Sequence, residues 1–326
     1  MPQPDVKSEI IAGPLAGVSV AYRNLDYIGD QVFPILDGAD PKVKITKYQK
    51  GAWFRDEAGI RAAGTRARRG GYPLTTVSVS TDEYAFAKEV TNEDKRFSKS
   101  QGAPVLDPEQ DAIEFASDKI DLNKERRVAS LITTGTWLDG NSGGVDAEGL
   151  WAASSGNTFL ADIATGKRAL RGVGLKATGL LIDADTYEAL KELDDILQKI
   201  KYTQRGVFGV DLLASLLELD EVLVGSGVYS DSEETAAGND MNAVDIWAVN
   251  DGKGMGFLYH KPKKIGLKVV TPGLQVRIAQ DNGLPRRTER WYENAEHQEI
   301  FEVAEETDIV QVCADAAYLW KDTYAT

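Results

Sequence analysis

The longest uninterrupted helical pattern in the chain runs from Asp107 to Thr134. Pro108 opens it at the first helical position, where a missing N–H costs nothing. Asp107 precedes it as N-cap, and Gln110 three residues on makes a capping-box pattern. Neither glycine nor a further proline follows until Gly135, a natural stop. Acids crowd the front (Glu109, Asp111, Glu114, Asp118) and bases the back (Lys124, Arg126, Arg127), as the helix dipole prefers. The pattern predicts a helix of about 27 residues, ~40 Å long at about 1.5 Å per residue. Its apolar positions form two stripes. Ile113, Ala116, Ile120 and Leu131 fall on one side, and Phe115, Leu122 and Ala129 on nearly the opposite side. A helix on the outside of a lone globule shows one stripe. Two arrangements fit a helix covered on both sides: an interior helix of a large domain, or a strut between its own fold and a neighbouring chain.

Ahead of this helix the chain is less regular. Residues 1–22 carry Pro2, Pro4, Gly13, Pro14 and Gly17 and read as an extended arm. Leu25, Ile28 and Val32 then mark a short helical turn, ended by Phe33-Pro34. Residues 43–48 alternate as a strand with one wet face, and residues 74–90 alternate again. Between them lies a stretch rich in glycine and arginine with no helical period. The pattern predicts a hairpin with a tip of roughly 25 residues, where ordinary hairpin loops have about two to five. Such a tip is either a surface loop or a projection that another molecule covers.

Behind the helix, residues 139–156 form a Gly/Ser-rich connection. Helices are then expected over Phe159–Arg171, Asp185–Leu193 (capped by Asp183 or Asp185) and Val210–Glu218. Buried strands are expected at Gly179–Asp183 and Glu221–Gly225. This alternation points to an α/β layer. An acidic run (231–240) follows. The remainder is strand-like: Asp245–Val249, Gly256–Tyr259, Leu267–Val270, Leu274–Ile278, Arg290–Tyr292, Ile300–Val303 and Asp308–Ala314.

Composition narrows the chemistry. The formal charge is −14 over 326 residues, which disfavours a protein that wraps nucleic acid. A single cysteine, Cys313, excludes an intrachain disulfide framework. Two histidines, His260 and His297, leave no zinc site to be built from Cys and His alone. No apolar run is long enough to span a membrane. Gly140-Asn141-Ser142-Gly143-Gly144 matches a nucleophile-elbow pattern, but lacks the strand before and the helix after that an elbow needs. Thr165-Gly166-Lys167-Arg168 lacks the first glycine and the final Ser/Thr of a phosphate loop. Gly172-Val173-Gly174 stands in the wrong order for a dinucleotide fingerprint. No catalytic residue, cofactor or metal site is expected. The one basic cluster is Arg61, Arg66, Arg68 and Arg69, with Arg55 and the aromatics Trp53 and Phe54 just before it. In an acidic protein its natural partner is an acidic surface of another copy.

Several segments together resemble one family. They are Tyr22-Arg23-Asn24-Leu25-Asp26-Tyr27-Ile28-Gly29-Asp30-Gln31-Val32-Phe33-Pro34, then Tyr48 with Gly51-Ala52-Trp53-Phe54-Arg55-Asp56-Glu57, and Asp82-Glu83-Tyr84. Thr134-Gly135-Thr136-Trp137 and Ile200-Lys201-Tyr202-Thr203 follow later. In order and spacing these resemble tailed-bacteriophage major capsid proteins. The resemblance implies an α+β protein with the Hong-Kong-97-type phage capsid fold. Its parts would be an N-terminal arm (1–38), an E-loop hairpin (39–90), a P-domain (91–155) with spine helix 107–134, an A-domain (156–287) and closing P-domain strands (288–326). It implies a structural, non-enzymatic protein whose hexamers and pentamers build an icosahedral shell around double-stranded DNA, assembled in the host cytoplasm and located in the virion. Partners would be other copies, a portal and a separate scaffolding protein, since some members carry a fused scaffolding segment and here the arm starts at once. A decoration protein stays open, and packaged DNA would be held only loosely. Arg55, Arg61, Arg66, Arg68, Arg69, Trp53 and Phe54 would make contacts between subunits. Two other readings remain: an encapsulin-type compartment shell of the same fold, and a serine hydrolase using Ser142 with His260 or His297.

Overall fold

A computed structural model describes residue 24 and residues 27–38, 40–99, 107–153, 155–193, 196, 198, 208–232, 241–249, 253–266, 268–279 and 284–324. The arm 1–22, Leu25, the 200–203 motif and most of the acidic run lie outside the described residues. In chain order the elements begin with α1 (Gly29–Val32), β1 (Ile35–Gly38), β2 (Lys42–Tyr48), α2 (Lys50–Trp53), β3 (Leu74–Ser80), β4 (Asp82–Thr91) and α3 (Asn92–Ser98). The middle holds α4 (Pro108–Thr134), β5 (Val145–Asp146), α5 (Phe159–Gly172), β6 (Gly179–Asp183), α6 (Ala184–Lys191), α7 (Val210–Leu216) and β7 (Glu221–Gly225). The last third is strands: β8 (Val228–Ser230), β9 (Ala243–Asp245), β10 (Met255–Tyr259), β11 (Gly273–Ile278), β12 (Arg286–Glu293), β13 (Gln298–Gln311) and β14 (Ala317–Lys321).

The long helix forms over the expected residues. The Asp107 carboxylate accepts from the backbone N–H of Glu109 and Gln110 at 3.1 and 3.4 Å. The return half of the capping box does not form, because the Gln110 amide donates instead to Glu114 at 2.9 Å. Gly135 stops the helix, but with an extended backbone (φ −65°, ψ 156°) rather than the left-handed one a terminal glycine usually supplies.

The two stripes prove to be successive rather than parallel. In the front half Ala112, Ala116 and Ile120 bury against Val90, Phe301 and Val303. In the back half Val128, Ala129 and Ile132 bury in a different core with Val32, Phe33, Trp247 and Phe257. At about 100° per residue these sets lie roughly half a turn apart. The helix passes from one core into a second, so no single face stays apolar along its length. Phe115, read as part of a covered stripe, remains 44% exposed.

The first core belongs to a sheet ordered β1-β11-β13-β12, with β4 along β13 as well. β13 is one strand of 14 residues where two were expected, and all its partners there are antiparallel. The alternating stretch 74–90 breaks at Thr81. β3 stays with β2, and β4 leaves to join β13. The second sheet runs β5-β14-β10-β6-β7. Helices α5, α6 and α7 pack on one face through Phe159, Ile163, Leu170, Leu190 and Leu213. The back half of α4 and α1 pack with Leu181, Phe257 and Leu319 of the same sheet. The expected α/β layer is thus present, and its sheet is covered on both sides. The closing segment is divided: β12 and β13 lie in the first sheet, β14 in the second. Lys268 lies in a turn and residues 269–270 are irregular, where a strand was expected.

Glu125 sits where the long helix changes cores, and it is 2% exposed. Its Oε1 accepts from the Ile28 backbone N–H at 2.9 Å and the Trp247 indole N–H at 2.8 Å. Its Oε2 accepts from the Gly29 N–H at 2.7 Å. A Cβ on residue 29 would lie 2.6 Å from that oxygen, so glycine is what lets the backbone approach. Burial raises the carboxyl's pKa above its ordinary value, and the three donors act against that rise. A folded-state pKa above the unfolded one means stability that is full at acid pH and declines as pH climbs through the folded value. In Glu125→Gln the amide NH₂ faces at least one backbone N–H, a donor–donor clash costing about 1–3 kcal/mol. The variant is expected to melt below wild type in thermal unfolding. The gap should narrow as pH rises from about 4 towards neutrality, because only the wild type carries the ionisation.

Candidate intersubunit surface

The hairpin leaves the body as β2 and β3, paired from Lys42↔Ser80 to Tyr48↔Leu74. Its base is tied to the first sheet. Val79 packs with Leu274 and Val276, the Ser80 N–H donates to Asp308 at 3.2 Å, and the Thr81 hydroxyl donates to Glu306. Further out a neck forms. The rings of Tyr48, Trp53 and Tyr72 meet with centroids 5.5–6.0 Å apart. The Lys268 ammonium lies 5.6 Å from both Tyr48 and Trp53. Lys268 itself has φ +64°, a left-handed backbone that aims it at the neck. Lys50 pairs with Asp315 at 2.7 Å. The Phe54 ring rests on Gly174, whose φ is +77° and where a Cβ would lie 2.5 Å from the ring.

Trp53 and Phe54 therefore touch their own chain at the neck, while still 54% and 67% exposed. Arg55, Arg61, Arg66, Arg68 and Arg69 lie beyond it and are all exposed. None of them has an ion-pair partner among the described residues. Ile60 is fully exposed. The tip thus presents Ile60 and five arginines to solvent, with no other described residue over them. Tyr48 stands among the segments that carry the family resemblance, but neither it, Tyr72 nor Lys268 is expected from the sequence to form a neck. The two tyrosines carry a signal, since they flank the tip near the ends of its two strands; Lys268, more than 190 residues away, carries none.

The other candidates dissolve into structure. Ser142 bridges Thr136, and its hydroxyl donates to the Thr134 carbonyl at 3.4 Å. His260 bonds the Lys176 carbonyl through Nδ1 at 2.7 Å, and His297 sits near the Tyr292 hydroxyl. Neither imidazole is a partner of Ser142. Gly166 and Lys167 lie inside α5, with Gly166 against Trp320 and Lys167 donating to the Leu217 carbonyl. Asp183 caps α6, accepting from the backbone N–H of Thr186 and Met255 at 2.9 and 2.8 Å, which settles the cap in its favour over Asp185.

A long helix crossing two cores, a hairpin standing off the body and a sheet layered with helices together define the Hong-Kong-97-type phage capsid fold. Solved structures agree. A phage-related protein from Bordetella bronchiseptica RB50 superposes with a TM-score of 0.65 at 20% identity, over 94% of each chain. The capsid of cyanophage P-SCSP1u does so with a TM-score of 0.64 at 11% identity, over 97% of this chain and 93% of that one. No family model matches the sequence. In sequence, the chain is similar to the major capsid protein of Burkholderia phage BcepMu, 27% identical over 248 residues, which is 75% of this chain and 76% of that protein. The resemblance to phage major capsid proteins read from the sequence motifs therefore holds in sequence and in fold.

The neck is expected to be loosened by Lys268→Ala combined with Phe54→Ala. Exposed cation–π contacts contribute roughly 0.5–1 kcal/mol each, so the global melting temperature should stay close to wild type. Amide hydrogen exchange across 42–54 and 72–80 should accelerate, with the sheets unchanged.

Proposed function

We propose that this chain is the major capsid protein of a tailed bacteriophage. Its copies form hexamers and pentamers that close into an icosahedral head enclosing double-stranded DNA. The observation that carries this reading is the uncovered tip: a folded chain that leaves five arginines and Ile60 in solvent on an outstretched hairpin has a use for them between subunits. The arginine tip lies across a neighbouring copy and pairs with acids there. Several such pairs desolvated together set register and partner choice, although each alone contributes little. Subunits assemble in the host cytoplasm with a scaffolding protein and a portal, and the shell touches DNA only loosely. Its work is mechanical, not catalytic. Neither rival reading is favoured: the hydrolase lacks an imidazole at Ser142, and the named relative is a phage capsid protein rather than a compartment shell.

Electron microscopy of purified protein should show closed shells of uniform size, whereas a strictly monomeric 35.5 kDa species would overturn the reading. Arg66→Glu with Arg68→Glu should leave the subunit soluble and its melting temperature unchanged. It should block shell formation or lower the salt concentration at which shells fall apart. Normal particles from that variant would remove the tip from the account.

A further inference from the structure

The front half of α4 keeps one face exposed among the described residues. Asp111, Phe115 and Lys119 lie on it at intervals of four residues, all exposed. Phe115 meets Phe86 of β4 edge to face at 5.8 Å, and the two rings are 44% and 39% exposed. The ammonium groups of Lys88 and Lys119 lie over the Phe115 ring at 5.4 and 5.2 Å. Asp111 and Lys119 have no ion-pair partner among the described residues.

We infer that this face is a two-fold contact between copies, with Phe115 on the axis and Asp111 of each copy paired with Lys119 of the other. The inference rests on the shell reading above, since an icosahedral shell contains two-fold axes. The occupant follows from the charges. A two-fold axis normal to the helix at Phe115 exchanges positions four residues before it with positions four residues after. Those positions carry an acid and a base, so the face is complementary to itself. Each contact gains two equivalent ion pairs around a pair of phenyl rings. The helices run antiparallel, which also opposes their dipoles favourably. On a chain of net charge −14, copies repel at long range, and Lys88 and Lys119 supply local positive charge at the point of approach.

The test follows the full chain and its variants by sedimentation velocity at low and high salt. Asp111→Lys puts a base at both paired positions, and Lys119→Asp puts an acid at both. Each should weaken self-association about tenfold or more through like-charge opposition. An equimolar mixture of the two, and the double exchange Asp111→Lys/Lys119→Asp, should restore it. Phe115→Ser should weaken it in either background. If the single variants associate as wild type does, or if the mixture and the double exchange fail to recover, the two-fold contact is overturned while the shell reading stands. If wild type itself never associates, the shell reading falls and takes the contact with it. Unchanged monomer melting curves show that each variant is folded, as expected for exposed positions.

Discussion

A single carboxylate holds three parts of this molecule in register. Glu125 collects the N–H of Ile28, the N–H of Gly29 and the indole N–H of Trp247. The first two open α1, the third belongs to the segment after β9, and Glu125 itself belongs to α4. A buried carboxylate without a countercharge would cost several kcal/mol. Here charge-assisted hydrogen bonds at roughly twice the strength of neutral ones offset part of that cost. The arrangement is all-or-none, because an N–H left without its acceptor in this core would be as costly as the charge. Geometry follows from it: the chain entering at Tyr27 must cross the long helix at this one level, and α1 and β1 follow in fixed places.

The position of Glu125 also explains why the long helix reads so poorly as an amphipath. Ahead of it the helix serves the β4–β13 layer. Behind it the helix serves the β6–β10–β14 layer. A helix that changes partner must rotate its apolar face, and a charged residue at the crossing is tolerated only because donors from elsewhere converge on it. The existence and ends of this helix were legible, since Asp107, Pro108 and Gly135 are local signals. The α/β layer was legible for the same reason, through runs such as GLLID and EVLVG that are apolar throughout. The change of core was not, and neither was Glu125. Nothing in the neighbourhood of that residue distinguishes it from the other acids of the helix; its partners lie 96 to 122 positions away. Likewise α3 was passed over, although Thr91 and Asp94 make the full capping box there, because no apolar period accompanies it.

The candidate site divides along the same line. The hairpin and its arginines were visible as a composition anomaly between two alternating runs. What could not be read is that Trp53 and Phe54 stay on their own body, through Lys268 and Gly174. The distinction matters physically. The neck is held by an aromatic trio, one cation and one exposed ion pair, contacts contributing on the order of 0.5–1 kcal/mol each. That is enough to aim the hairpin and too little to hold a tip that makes no contacts of its own. The direction of the tip is therefore intrinsic to the subunit, and its final position depends on what it meets.

Charge sets the terms of that meeting. Two subunits, each with a net charge of −14, feel one another's charge only within about one Debye length, about 8 Å at physiological ionic strength. Closer than that, local distribution outweighs the total. Much of the positive charge is spent inside the fold: Arg286 on Asp121 and Glu305, Arg127 on Tyr84 and Thr307, Lys124 on Asp30. The arginines of the tip and the lysines beside Phe115 are not spent in this way. In the proposed shell, attraction is thus confined to a few places on an otherwise repelling surface. The same excess of acid that slows association also weighs against encounters that bring acid to acid, so a subunit of this composition assembles best through its cationic projections.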